Sequence, residues 1–287
     1  MKRNAVTIAV SFLLTLAVFV LMDGHFLSKR AEASELKWVG CGITKKAFMK
    51  ELAAAYEKKT GTKIIIKGGG ATKGIRAVAE GVADLGGTCR HKIDVPEEKA
   101  AKLHQVAWDA LVVVVNKDSR VDSITTEQIK KVLTGKIKNW KEIGGTDSPI
   151  KLYVRKGRIS GVGLMVREVI FNNPDQEFSP DTKIKRSSGP LERAISHDLY
   201  GIGMTGISSA KKRKKLKILK IDGVAPTKDN IMSGKYPFYR PLYLVTKGKP
   251  AGEVKNFIEF ALGPEGQTVI SGQGTVNLEE GKVLGIK

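Results

Sequence analysis

Apolar and polar positions along this chain repeat with two periods, and the switches between them lay out an alternating order of elements. "LKWVG" predicts a short strand, and "KKAFMKELAAAYEKKTG" continues at helical spacing until Gly61 closes it. "TKIIIKG" predicts a second buried strand, "TKGIRAVAEGV" a second amphipathic helix and "ADLGG" a third short strand. "HQVAWDALVVVVN" is apolar almost without interruption through Val112–Val115, as expected for a strand covered on both faces. Further on, "SITTEQIKKVLTGKIKNWKEIGG" sets a capping-box threonine, Thr125 or Thr126, ahead of a helix. "PIKLYVRKGRISGVGLMVREVIF" predicts strand, glycine turn and helix, while "HDLYGIGMTGI" and "KLKILKIDG" each predict a strand. "RPLYLVTKG" is a last strand, followed by helices in "GEVKNFIEFALGPEGQTVIS". This order predicts an α/β fold with right-handed crossovers, whose ligands bind beyond the carboxyl ends of the strands.

Ahead of the first strand the pattern changes. Lys2 and Arg3 precede an apolar run, Ala5–Met22, and Ala31–Ala33 supplies small residues for cleavage. Residues 1–33 therefore predict a signal peptide and a periplasmic or extracytoplasmic location. The run is also about long enough to span a bilayer, so an uncleaved anchor is the alternative. No cysteine lies near the junction, which argues against a lipoprotein anchor there.

Composition alters this picture in one respect. Apolar and charged contents of 41% and 27% are ordinary for a globular protein of 287 residues, but a net charge of +20 is not. Cleavage after Ala33 removes four basic and two acidic residues and leaves +18. Such a field attracts anions. The glycine turns suggest how one would be held, because a helix N-terminus presents free N–H groups and about half a positive charge. Thr44 is placed to open the first helix, the Ala71–Gly74 stretch the second and Ser160–Gly161 one in the middle of the chain. Small residues there let the backbone approach an anion closely.

Five segments together carry a resemblance to a known family: "GCGIT", "GGGATKGI", "DLGGTC", "ITTEQIKKVLTGKIKNWKEIGG" and "SGKYPFYRPLYLVTKG" followed by "FIEFALGPEGQTVI". The sequence resembles the phosphate-binding periplasmic proteins that serve ABC importers, over about residues 36–280. The resemblance implies a type II periplasmic-binding-protein fold, two α/β lobes around a central cleft with two hinge crossings. Lobe one would comprise residues 36–115 plus 222–287, and lobe two residues 116–221. It implies capture of phosphate or a related small oxyanion, delivery to the importer's membrane subunits, no enzyme activity, no cofactor and a monomeric chain.

Carried over residue by residue, the resemblance implies a ligand set of Gly42, Ile43, Thr44, Ala71, Thr72, Cys89, Arg90, Arg155, Arg158, Ser160 and Gly161. Thr44 falls where the family has a hydroxyl ligand, and Ser160–Gly161 match the start of its Ser-Gly-Thr turn, with Val162 in place of the threonine. Ala71 stands where a serine is expected, beside Thr72. Cys89 replaces an aspartate that would accept a hydrogen bond from a protonated oxyanion, and a thiol accepts weakly. Lys156 takes the place of the family's arginine, with Arg155 and Arg158 either side of it able to supply bidentate geometry, and Arg90 adds another cation.

Cys41 and Cys89 follow the first and third strands, which neighbour each other in a 2-1-3 order. In an exported protein the default is a disulfide, closing 47 intervening residues and contributing about 4 kcal/mol. Two free thiols binding a soft metal or a thiophilic anion are the alternative. A third reading is a non-transport extracellular sensor or interaction protein. No nucleophile–base constellation, P-loop or haem motif is present; His91 could join Cys41 and Cys89 as a metal ligand but beside a basic turn reads as a polar surface group, and no metal is expected. The run "KKRKKLK" (Lys211–Lys217) has no interleaved aromatics, so no nucleic-acid partner is expected.

Overall fold

A strand of sixteen residues, Ala101–Asn116, runs through the middle of the structure, and every residue from Val106 onward in it is shielded from water. Its uninterrupted apolar run leaves no face for solvent. The computed structural model describes residues 34–284; the leader expected at residues 1–33 lies outside them. In chain order the strands are β1 (Glu35–Gly40), β2 (Lys63–Gly68), β3 (Leu85–Thr88), β4 (Ala101–Asn116), β5 (Ser123–Ile124) and β6 (Lys151–Arg155). They continue with β7 (Lys183–Lys185), β8 (Gly201–Gly206), β9 (Leu216–Ile218), β10 (Lys220–Ile221), β11 (Tyr239–Lys247) and β12 (Val276–Asn277).

Ten of them form one sheet with the order β2-β1-β3-β11-β4-β8-β6-β7, to which β9 and β12 add on β4; β5 and β10 pair separately. β1 is parallel to both β2 and β3, the expected 2-1-3 order. β4 belongs to two ladders. It pairs antiparallel with β11 from Ala101 to Ala110, then with β8 from Leu111 to Val115. β6 lies parallel between β7 and β8.

Helices cover the sheet as the sequence leads one to expect, with two differences. The first helix does not open at Thr44. It begins with a turn at Gly42–Thr44, capped by Cys41, whose sulfur accepts the Thr44 N–H, and passes through a π-helical stretch, Lys45–Met49, before the regular helix Lys50–Thr60. Gly61 ends that helix at φ +79°, a conformation that favours glycine. "KLKILKIDG" forms two short strands rather than one, because β9 pairs with β4 while β10 pairs with β5. Thr125 makes the expected capping box with Gln128. The helix Ala71–Ala79 lies so close on β3 that a Cβ at Gly86 would come within 2.3 Å of the Gly74 carbonyl oxygen. One large core holds the two halves of the sheet together, from Trp38 and Phe48 at one end through Val112–Val115 to Leu191 and Ile195 at the other.

Candidate functional site

The strand ends place the site. Cys41 directly follows β1, Cys89 directly follows β3 and Arg155 ends β6, while the helices Ala71–Ala79 and Gly161–Phe171 begin beside them. The two helix starts meet at Cys89. A Cβ on Gly161 would lie 2.6 Å from the Cys89 sulfur and 2.7 Å from the Ala71 Cβ, so only glycine permits this approach. Thr72 and Arg90 fasten the second side to the first, donating from Oγ1 at 3.0 Å and from Nε at 2.9 Å to the carbonyl of Ile159. Beside the Ala71 helix start a cavity of about 170 Å³ is lined by Gly69, Gly70, Ala71, Thr72, Arg155, Lys156, Gly157, Ile159, Ser160 and Arg186.

Buried donors without partners gather at this place. Ser160 caps the Gly161–Phe171 helix by position, yet its hydroxyl makes no cap bond and has no partner among the described residues. The same holds for the Nε of Arg155 and of Arg240. A buried donor left unpaired costs about 1–3 kcal/mol, so three of them in one region call for an acceptor. Arg155 spends Nη1 on the Ser188 hydroxyl and Nη2 on the Arg186 carbonyl, both at 2.9 Å. Arg240 is fully buried; it donates to the Gly161 carbonyl at 3.3 Å and pairs at 3.4 Å with Asp109, itself held by the Ser208 N–H at 3.0 Å.

The two cysteines are free, so the expected disulfide is not formed. They share a hydrogen bond instead, and Cys41 is engaged as a helix cap, accepting the Thr44 N–H at 3.4 Å and lying 3.3 Å from its hydroxyl. Burial pushes the Cys41 thiol up, but hydrogen bonds from Cys89 and Thr44 and the charge of Arg240 outweigh it and bring it down to about 6. Cys89 moves the opposite way, raised by its bond to Cys41 and by burial. Both sulfurs lie under the positive field of Arg240 and Arg155.

Not all residues implied by the resemblance stand here. Arg158 points away into solvent, bound to Asp175 at 3.2 Å and to Glu177. Arg90 is buried, but its guanidinium is used up by Glu98 and the carbonyls of His91 and Ile159. Thr44 is fully buried and gives its hydroxyl proton to the Cys41 carbonyl at 3.1 Å. Ile43 is in the core, leaving only its backbone to the helix start, and Gly42 is half-buried with open space at its Cα. Arg240 and Asp109 were not legible as site residues; the one available signal was a charged residue in each of two strands that otherwise read as apolar.

The sequence profile of the PBP superfamily domain matches residues 30–265. The chain is 27% identical to the phosphate-binding protein PstS of Borreliella burgdorferi over 260 residues, 88% of this chain and 93% of that one. It is 30% identical to the phosphate-binding protein PstS of Bacillus subtilis over 240 residues, 81% and 78% of the two chains. Among solved structures, it is similar to a phosphate-bound Clostridium perfringens protein assigned to a phosphate ABC transporter as its substrate-binding component. That match has 27% identity and a TM-score of 0.79, covering 85% of this chain and 100% of the other.

Proposed function

The chain belongs to the phosphate-binding protein family within the PBP superfamily, and from that premise we propose that it captures phosphate or a closely related oxyanion for an ABC importer. The observation that carries this reading is the set of unpartnered buried donors, Ser160 Oγ, Arg155 Nε and Arg240 Nε, beside two helix starts. An oxyanion supplies the acceptors they lack, and the helix ends add free N–H groups and positive potential. Binding, not bond-making, is the work of this site, so the protein is read as a carrier and not an enzyme. It acts outside the cytoplasmic membrane, with its leader removed near Ala33.

We read the chain as two lobes that share β4, a reading supported by the change of pairing partner along that strand. Residues paired with β11 belong to one, those paired with β8 to the other, and the hinge sits in β4 near the change of partner between Ala110 and Leu111. The return crossing lies near β9 and β10. Opening there separates the Ala71 and Gly161 helix starts and admits the anion; closure buries it.

Thermal unfolding of the chain lacking residues 1–33, against a panel of oxyanions at fixed ionic strength, tests the reading. Phosphate should raise the transition in a concentration-dependent way, reaching about 2.7 kcal/mol of stabilisation at a hundredfold excess over Kd. A transition that no oxyanion moves overturns it.

A further inference from the structure

Phosphate capture makes no use of the two sulfurs. An oxyanion needs donors, and a thiol is a weak one. Yet Cys41 and Cys89 sit beside the donors just described, at the ends of neighbouring parallel strands, both buried and hydrogen-bonded to each other. Two free sulfurs kept beside an anion site, with no disulfide between them, point to a task of their own.

The surroundings narrow what that task is. Among the described residues no group of three or more His, Cys, Asp or Glu is placed to hold a metal ion, so a metal here would have two sulfur ligands and no third. Arg155 and Arg240 also repel a free cation. What fits both halves of the site is a ligand with a thiophilic centre and oxygen of its own. Its centre bonds the sulfurs, while its oxygen meets Ser160 Oγ and the arginine N–H groups that have no other partner.

We infer that the base of the cleft is a covalent, reversible site for a trivalent oxyacid of the arsenite class, held by Cys41 and Cys89. In the binding step two arsenic–oxygen bonds break and two arsenic–sulfur bonds form. The two oxygens leave as water, one with the Cys89 proton and the other with the Cys41 proton or, where Cys41 is ionised, with a proton from solvent, and the arsenic keeps its third oxygen as a hydroxyl. No electron is transferred, so no oxidant or reductant is needed. The free acid is neutral at neutral pH, so the arginines do not oppose its entry, and a thiolate is the attacking form. The assignment of the remaining hydroxyl rests on the anion-site reading above; the sulfur bonds do not.

Arsenite is titrated calorimetrically into the reduced, desalted chain under anoxic conditions, with phosphate titrated in parallel. Uptake of one arsenic per chain, lost in both Cys41→Ser and Cys89→Ser and blocking later phosphate binding, carries the inference. Phosphate binding without arsenite uptake overturns it and leaves the phosphate reading standing; failure of both ligands overturns both. Arsenite uptake that survives in either serine variant places the arsenic elsewhere and also overturns it. Should a serine variant fail to fold, X-ray absorption at the arsenic edge of the parent complex decides. Two sulfurs and one oxygen around arsenic support the site, and three oxygens or three sulfurs exclude it.

Discussion

Arg240 braces the fold and still keeps one donor unspent. Its guanidinium lies out of water, tied to Asp109 on β4 and to the Gly161 carbonyl at a helix start, while its Nε has no partner among the described residues. Replacing it by methionine leaves the Asp109 carboxylate buried with only the Ser208 N–H and hydroxyl to satisfy it. Breaking a buried pair from one side typically costs about 3–5 kcal/mol, because the partner's charge is left uncompensated. Arg240→Met should lower stability by that amount in denaturant unfolding, and Asp109→Asn added to it should restore part of the loss. Additive losses in the double variant would show that the two side chains do not depend on each other. The same logic separates Arg155 from Arg158, which the sequence presents as equals. Arg155 ends a buried strand and inherits its burial, whereas Arg158 lies in an exposed turn and meets Asp175 and Glu177, residues far enough along the chain that no local pattern announces them.

At the scale of elements, the chain's periodicity was a good guide wherever burial alone decided the outcome. The continuous apolar run of β4 and the Thr125 cap follow from local residue choice, while the 2-1-3 strand order came with the family resemblance. It was a poor guide where pairing partners decided, as in the break between β9 and β10, or where helix geometry shifted, as at Lys45–Met49. Helix starts near Thr44, Ala71 and Gly161 were legible; that Cys41 rather than Thr44 caps the first was not, since a thiol is an uncommon cap. Contacts between the loop after β3 and the Gly161–Phe171 helix were equally hidden. There His91 Nε2 stands 2.9 Å from both carboxylate oxygens of Glu168, half exposed, with its Nδ1 2.9 Å from the Lys92 carbonyl and the charge of Arg90 nearby. The bond to Glu168 holds the His91 imidazole above its ordinary value, against the opposing effects of burial and Arg90. A group raised in the folded state stabilises it fully below its unfolded value of about 6.5 and loses that contribution as pH rises through the folded value. The stability difference between the parent chain and His91→Gln should thus be largest in mild acid and shrink toward alkaline pH. A difference that is flat across this window, measured by thermal unfolding, would mean that the pair does not hold the two elements together.

For the molecule as a whole, charge and fold act at different ranges. Most of the basic residues take no part in the site: Lys211 and Lys212 of the basic run donate to the carbonyls of Gln273, Gly274 and Lys46, and Arg213 pairs with Glu192. Their sum still matters, because the net charge, +20 for the whole chain and +18 without residues 1–33, draws anions toward the surface before any specific contact forms. That attraction is screened over about 8 Å at physiological salt, whereas a buried charge such as Arg240 is screened much less. Association and release should therefore respond differently to salt. The phosphate on-rate should fall by roughly 10-fold or more between low and high ionic strength, while the off-rate, set inside the cleft, should change little. Stopped-flow measurement of the intrinsic fluorescence of Trp38, Trp108 and Trp140 on mixing with phosphate separates the two. An on-rate indifferent to salt would mean that the surface field does not steer capture and that hinge opening limits it; an off-rate that rises in step with salt would place the bound anion near the surface instead of between the helix starts.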